Sequence, residues 1–201
     1  MARIAQLPRS RLTPSPSCDL SVKRNATTGL ITVICGFYLL QLFFPSLEFD
    51  LGLIRGPING QGVAAGQWYR IVTVGLIHGG FLHLGFNMYA LLVLGNPLEQ
   101  LFGRVRFLSI FFFSLIAGSL TSLFLNPPYQ LSVGVSGALF GLFAAFALVA
   151  KRIGADVKSI LLIIGINFAM VFFLPGIDWH AHVGGLLGGF IATTVILRGK
   201  L

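Results

Sequence analysis

A chain of 201 residues that is 55% hydrophobic and only 10% charged has too few polar side chains to cover a water-soluble globule. With a mean hydropathy of +0.87, it reads as an all-α membrane protein. The net charge of +8 would suggest nucleic acid in a soluble domain, but here the basic residues follow membrane topology, so no nucleic-acid partner is expected.

In chain order, residues 1–25 form a basic tail rich in Arg, Ser and Pro. It has no apolar run of its own, so a cleaved signal peptide is not expected; a flexible cytoplasmic tail is the plainer reading and a transit peptide the alternative. The remainder, 26–201, is predicted to form one bundle. Six spans fit a hydrocarbon core of roughly 30 Å: Ala26–Phe44, Phe81–Leu101, Arg106–Leu125, Ser136–Ala150, Ser159–Leu174 and Ala181–Leu197. With the N-terminus inside, the inner segments carry Arg3, Arg9, Arg11, Lys23, Arg24, Arg104, Arg106, Lys151, Arg152, Lys158, Arg198 and Lys200. Only Arg55 and Arg70 fall outside, which places both termini in the cytoplasm. Cys18 lies in the tail and Cys35 in the first span, so both are expected to be free thiols.

After the first span, Pro45 stops the helix and a long loop begins. Its middle, "LIRGPINGQGVAAG", is irregular; its end, "QWYRIVTVGLIHGG", mixes Trp68 and Tyr69 with apolar residues, as a segment at the headgroup level would. "GNPLEQLFGRVRF" makes a tight inner turn, and "NPPYQLSVG" is an outer loop in which Pro127 and Pro128 forbid helix. The fourth span is short: from Ser136 to Ala150 a helix rises only about 22 Å, less than the bilayer core. Its N-terminus is therefore expected below the outer surface, facing water, since non-helical backbone at that depth must be buried or line a cavity.

The polar residues of the outer half are the candidates for chemistry. His83 and Asn87, four apart, share one face of the second helix. In the sixth span Gly185 and Gly189 make one small-residue face and Gly184 and Gly188 another, letting neighbours approach closely. The fourth helix, with Gly137 and Gly141, is the neighbour expected to bring Ser136 to His182. Four histidines also admit a haem or metal site, although His78 would stand about 140° round a helix from His83. A polar pore and plain interhelical hydrogen bonding are further readings. Nucleophilic catalysis accounts for the whole set, because a serine hydroxyl needs a base within reach and donors aimed at the oxyanion.

These residues resemble the rhomboid intramembrane serine proteases in their compact six-helix bacterial form. The likeness spans about residues 26–198 and rests on "WYR" (Trp68 to Arg70), His78-x4-His83-x3-Asn87, "GVSG" around Ser136 and "AHVGGLLGG" around His182. It implies Ser136 as nucleophile and His182 as general base and acid, with no cofactor or metal. It implies an oxyanion hole from the backbone N–H of Ser136, aided by Val135, and the side chains of His83 and Asn87. Supporting roles are implied for Gly134, Gly137, Gly185 and Gly189, for Phe140 as the ring packed on the catalytic histidine, and for His78 and Arg70 in steadying the first loop. Glu99 would pin the inner loops. The position of His180 is less characteristic, and Asp178 is either solvated or holds its loop. Single-pass transmembrane proteins cut near their outer boundary are the implied substrates, membrane lipid the surrounding partner and a bacterial inner membrane the location. A non-catalytic relative that binds transmembrane segments is the alternative within the same fold.

Overall fold

In the computed structural model, the described residues are 25–150, 158, 162, 165 and 177–199. The helices among them are α1 (Ala26–Phe43), α2 (Leu47–Leu51), α3 (Arg70–Thr73), α4 (Phe81–Phe102), α5 (Arg104–Leu125), α6 (Ser136–Val149) and α7 (Trp179–Arg198), with short 3-10 turns at Val63–Ala65 and Val74–Leu76. There is no β-strand among the described residues, only isolated bridges. The chain is thus an all-α membrane protein: α1, α4, α5 and α7 are each long and apolar enough to cross a bilayer, and α6 is shorter. Leu39, Leu42, Phe43, Phe81, Phe86 and Phe190 stand exposed on this surface. In water that would be costly, whereas against lipid tails it is the stable arrangement. The expected tail lies outside the described residues apart from Asn25, as does the expected fifth span apart from Leu162 and Gly165.

Each helix end has a local cause. Asn25 caps α1, its side chain accepting from Thr28 N, and α1 stops ahead of Pro45. The turn between α4 and α5 is tighter than the predicted spans allow: Gly103 alone, at φ 79°, joins two helices that continue to Phe102 and from Arg104. At this end of the bundle Glu99 accepts from Ala26 N (2.7 Å), Thr27 N (2.9 Å) and Thr27 Oγ1 (2.8 Å), tying the first turn of α1 to the last turn of α4.

α6 is apolar all round and buried from Gly137 to Ala145, as expected for a helix packed against neighbours on every side. α4, α5 and α7 surround it, while α1 leans on α4. The α6–α7 contact is backbone on backbone. A methyl group on Gly185 would lie 1.9 Å from the Gly137 carbonyl oxygen, and one on Gly189 2.2 Å from that of Gly141. On the other side of α7, a methyl on Gly184 would meet Thr121 Oγ1 of α5 at 2.1 Å.

The long first loop is organised about Arg70, which is fully buried. Its guanidinium donates to Phe49 O and Gly52 O (both 2.6 Å), Gln67 Oε1 (2.7 Å) and Gln61 Oε1 (2.8 Å). A single planar group therefore satisfies four acceptors along an irregular segment. Trp68 and Tyr69 beside it are exposed. The loop is fastened to the segment before α6 by paired backbone bonds between Leu53 and Ser132 (2.9 Å each) and by Gly134 N donating to Val74 O (3.0 Å).

Candidate active site

Ser136 is the first residue of α6, so its N–H lies in the first turn, where the helix itself supplies no acceptor. The glycine before it, Gly134, has φ +114°, a conformation that L side chains rarely adopt. A methyl there would also come within 2.7 Å of the His83 ring. The turn thus delivers Ser136 at a helix N-terminus and leaves room for His83 over the backbone.

His182 stands in the first turn of α7, buried, with Nε2 2.9 Å from Ser136 Oγ. The glycine-lined contact below the pair makes that distance attainable, since larger residues would hold the helices apart. The Phe140 ring, one turn along α6 from Ser136, stacks on the imidazole with centroids 4.2 Å apart and planes 15° apart, fixing the ring's tilt.

From α4, the His83 ring lies against Gly134, and Asn87 follows one turn further along the same helix. Asn87 is buried, and its Nδ2 donates to His83 O at 2.8 Å; an amide carries two N–H donors, so one bond leaves a second for a reacting oxygen. His78 departs from a helical placement. It lies in the non-helical stretch before α4, and its ring sits 5.1 Å from that of His83, so an angle counted round a helix does not apply. Its backbone is clamped to α1: His78 N donates to Gln41 Oε1 (3.0 Å) and Gln41 Nε2 donates back to His78 O (3.2 Å). Both ring nitrogens are buried without a hydrogen-bond partner among the described residues, and burial pushes the imidazole's pKa down to about 3. Among the described residues no group of three or more His, Cys, Asp or Glu is placed to hold a metal ion.

Sequence reasoning left Asp178 as either solvated or holding its loop, and it did not single out Ser122, Asn126, Ser132 or Gln41. Asp178 caps α7, Ser122 and Ser132 donate to its carboxylate, Asn126 donates to Ser122, and Gln41 holds His78. The signal for Asp178 was present, an acidic residue just ahead of an apolar run. Ser122 and Ser132 carried none, because only the packing of three separate segments gathers them.

The arrangement can activate a hydroxyl with an imidazole beside donors for a developing negative charge, in an apolar surrounding. Comparison with known proteins agrees in kind. The family model described as the Rhomboid domain matches residues 65–199. The chain is 36% identical over 168 residues to the rhomboid protease GluP of Bacillus subtilis, covering 80% of this chain and 32% of GluP. It is 33% identical over 169 residues to YdcA of the same bacterium, covering 81% of this chain and 85% of YdcA. With RHOMBOID-like protein 5 of Arabidopsis thaliana it shares 37% identity over 150 residues, 71% of this chain and 48% of that protein. It therefore spans most of YdcA but only about a third of GluP and half of the plant relative. By the matched domain and by these relatives, the chain belongs to the rhomboid family.

Proposed function

We propose that this protein is an intramembrane serine endopeptidase that cleaves transmembrane proteins near the outer membrane boundary through a Ser136–His182 dyad. The observation that carries the reading is the 2.9 Å approach of His182 Nε2 to Ser136 Oγ, between two helices and at the N-terminus of one of them. Ser136 Oγ attacks the scissile carbonyl carbon as its proton passes to His182 Nε2. The oxyanion is held by the Ser136 N–H, with Asn87 Nδ2 and the His83 ring as side-chain donors, and the first turn of α6 adds a favourable dipole. His182 then gives the proton to the leaving amine, releasing one product and leaving an acyl ester on Ser136. Water attacks the ester, His182 taking its proton, and the second product leaves with Ser136 protonated again.

Cleavage requires the substrate helix to unwind, because a helical carbonyl is engaged in a backbone hydrogen bond. Helix-breaking residues near the outer boundary therefore mark the sites this enzyme cuts. The distribution of Lys and Arg supports a six-span bundle with both termini cytoplasmic, an arrangement in which the open end of α6 faces outside. The likeness to two Bacillus proteins supports placement in a bacterial plasma membrane.

The test is reconstitution of the purified protein in liposomes with a fluorogenic single-span substrate carrying Ala and Gly near its outer end. Unmodified protein cleaves; Ser136→Ala and His182→Ala do not. Inert unmodified protein that binds the substrate as well as both variants do would replace this reading with a non-catalytic binder of transmembrane segments.

A further inference from the structure

Asp178 joins three segments that carry no catalytic group in common. Its Oδ1 accepts from Ala181 N at 3.1 Å, capping α7 one turn ahead of His182. Its Oδ2 accepts from Ser132 Oγ at 2.7 Å and from Ser122 Oγ of α5. Ser132 stands four residues before Ser136 on the segment leading into α6, and its backbone is paired with Leu53 of the first loop. Asn126 Nδ2 donates to Ser122 Oγ at 2.9 Å, and Asn126 Oδ1 meets His180 Nδ1. The carboxylate thus fastens the start of the His182 helix to the run-in of the Ser136 helix.

The packing below gives this fastening a purpose. The glycine contacts fix how closely α6 and α7 approach, while the register of their first turns depends on contacts made where the two helices begin. A Ser–His hydrogen bond tolerates only tenths of an ångström of change in that register. We propose that Asp178 is a positioning residue of the proteolytic site, holding the first turn of α7 and the segment entering Ser136 in one register through Ser132 and Ser122. This rests on the dyad reading above.

The test uses Asp178→Ser, which keeps a good helix cap but cannot span to the two hydroxyls, together with Ser132→Ala and the double variant. In proteoliposomes, kcat and KM are measured on the fluorogenic single-span substrate, along with the rate at which a fluorophosphonate captures Ser136 and the melting temperature. Each single change is expected to lower kcat and the capture rate by about tenfold or more, with KM within about twofold. The double variant is expected to match the worse single one, since both break the same link. Unchanged kcat in the two single variants overturns the proposal, as do losses that multiply in the double variant or that vanish once corrected for unfolded protein. If Asp178→Ser does not fold, Ser132→Ala decides the matter alone. Unmodified protein that neither cleaves nor takes up fluorophosphonate would instead overturn the dyad reading itself.

Discussion

Gly185→Ala tests whether the α6–α7 contact sets the reactive geometry. The added methyl would begin 1.9 Å from the Gly137 carbonyl oxygen and 2.9 Å from the Gly137 Cα. Both neighbours are backbone, so no side chain can swing aside. Reaching even 3.0 Å from that oxygen requires the helices to part by about 1.1 Å. Gly137 directly follows Ser136 and Gly185 lies one turn beyond His182, so most of the displacement passes to the 2.9 Å Ser136–His182 approach, stretching it toward about 4 Å, beyond hydrogen-bond range. A misplacement of about 1 Å costs on the order of a hundredfold in rate, and overpacking of this kind costs about 1–3 kcal/mol in stability. Cleavage of a fluorogenic single-span substrate in proteoliposomes and thermal unfolding measure the two effects. Gly36→Ala in α1, where nothing lies within 4 Å of the new methyl, is the control and should leave both unchanged or raise stability slightly. Gly185→Ala with activity near that of the unmodified protein would refute the argument that backbone contact fixes the dyad.

Phe140→Ala removes the ring stacked on His182 and should lower kcat by about tenfold, the order of one aromatic contact; Phe140→Tyr keeps the ring and should stay within about twofold in the same cleavage assay. Glu99→Gln places an amide where three donors converge on one carboxylate, and thermal unfolding in detergent should show a loss of about 1–3 kcal/mol. His78 is held neutral by burial, with a pKa near 3. Its folded-state value lies below its unfolded one, so as pH falls through about 6.5 the unfolded chain takes up a proton that the folded one refuses. Stability should therefore decline from pH 7 to pH 4, with a shallower slope in His78→Asn, as followed by melting temperature against pH.

Helices were legible where one-dimensional patterns settle them. The apolar runs give the starts of α1, α4 and α6 to the residue, because Asn25, Gly80 and the Gly134 turn interrupt the chain sharply there. The α4–α5 turn was drawn too long, over 102–105, because Arg104 beside Gly103 looks like a loop residue in a hydropathy count. In the structure Gly103 needs only its own positive φ to reverse the chain, and Arg104 already belongs to the helix. Arg70 illustrates the opposite limit. Its importance came through resemblance, while the reason, four acceptors from a loop wound around one guanidinium, exists only in three dimensions.

The same distinction governs the reactive pair. Periodicity places Ser136 and His182 each on a helix and says nothing of the distance between them, so their pairing came from family likeness alone. Physically that distance is the outcome of two kinds of constraint. Glycines at 137, 141, 185 and 189 set how closely the helices approach, and sequence shows such a stripe readily because it repeats every four residues. The register along the axis is set by a carboxylate and hydroxyls from three segments, Asp178 with Ser122 and Ser132, and no period connects them. In the proposed dyad the imidazole has to be oriented by the groups packed about it. Here orientation is divided between a stacked ring from α6 and a cap at the head of α7. Loss of either contact should therefore appear in kcat ahead of KM, since each fixes where the base points and neither shapes the path by which a substrate enters.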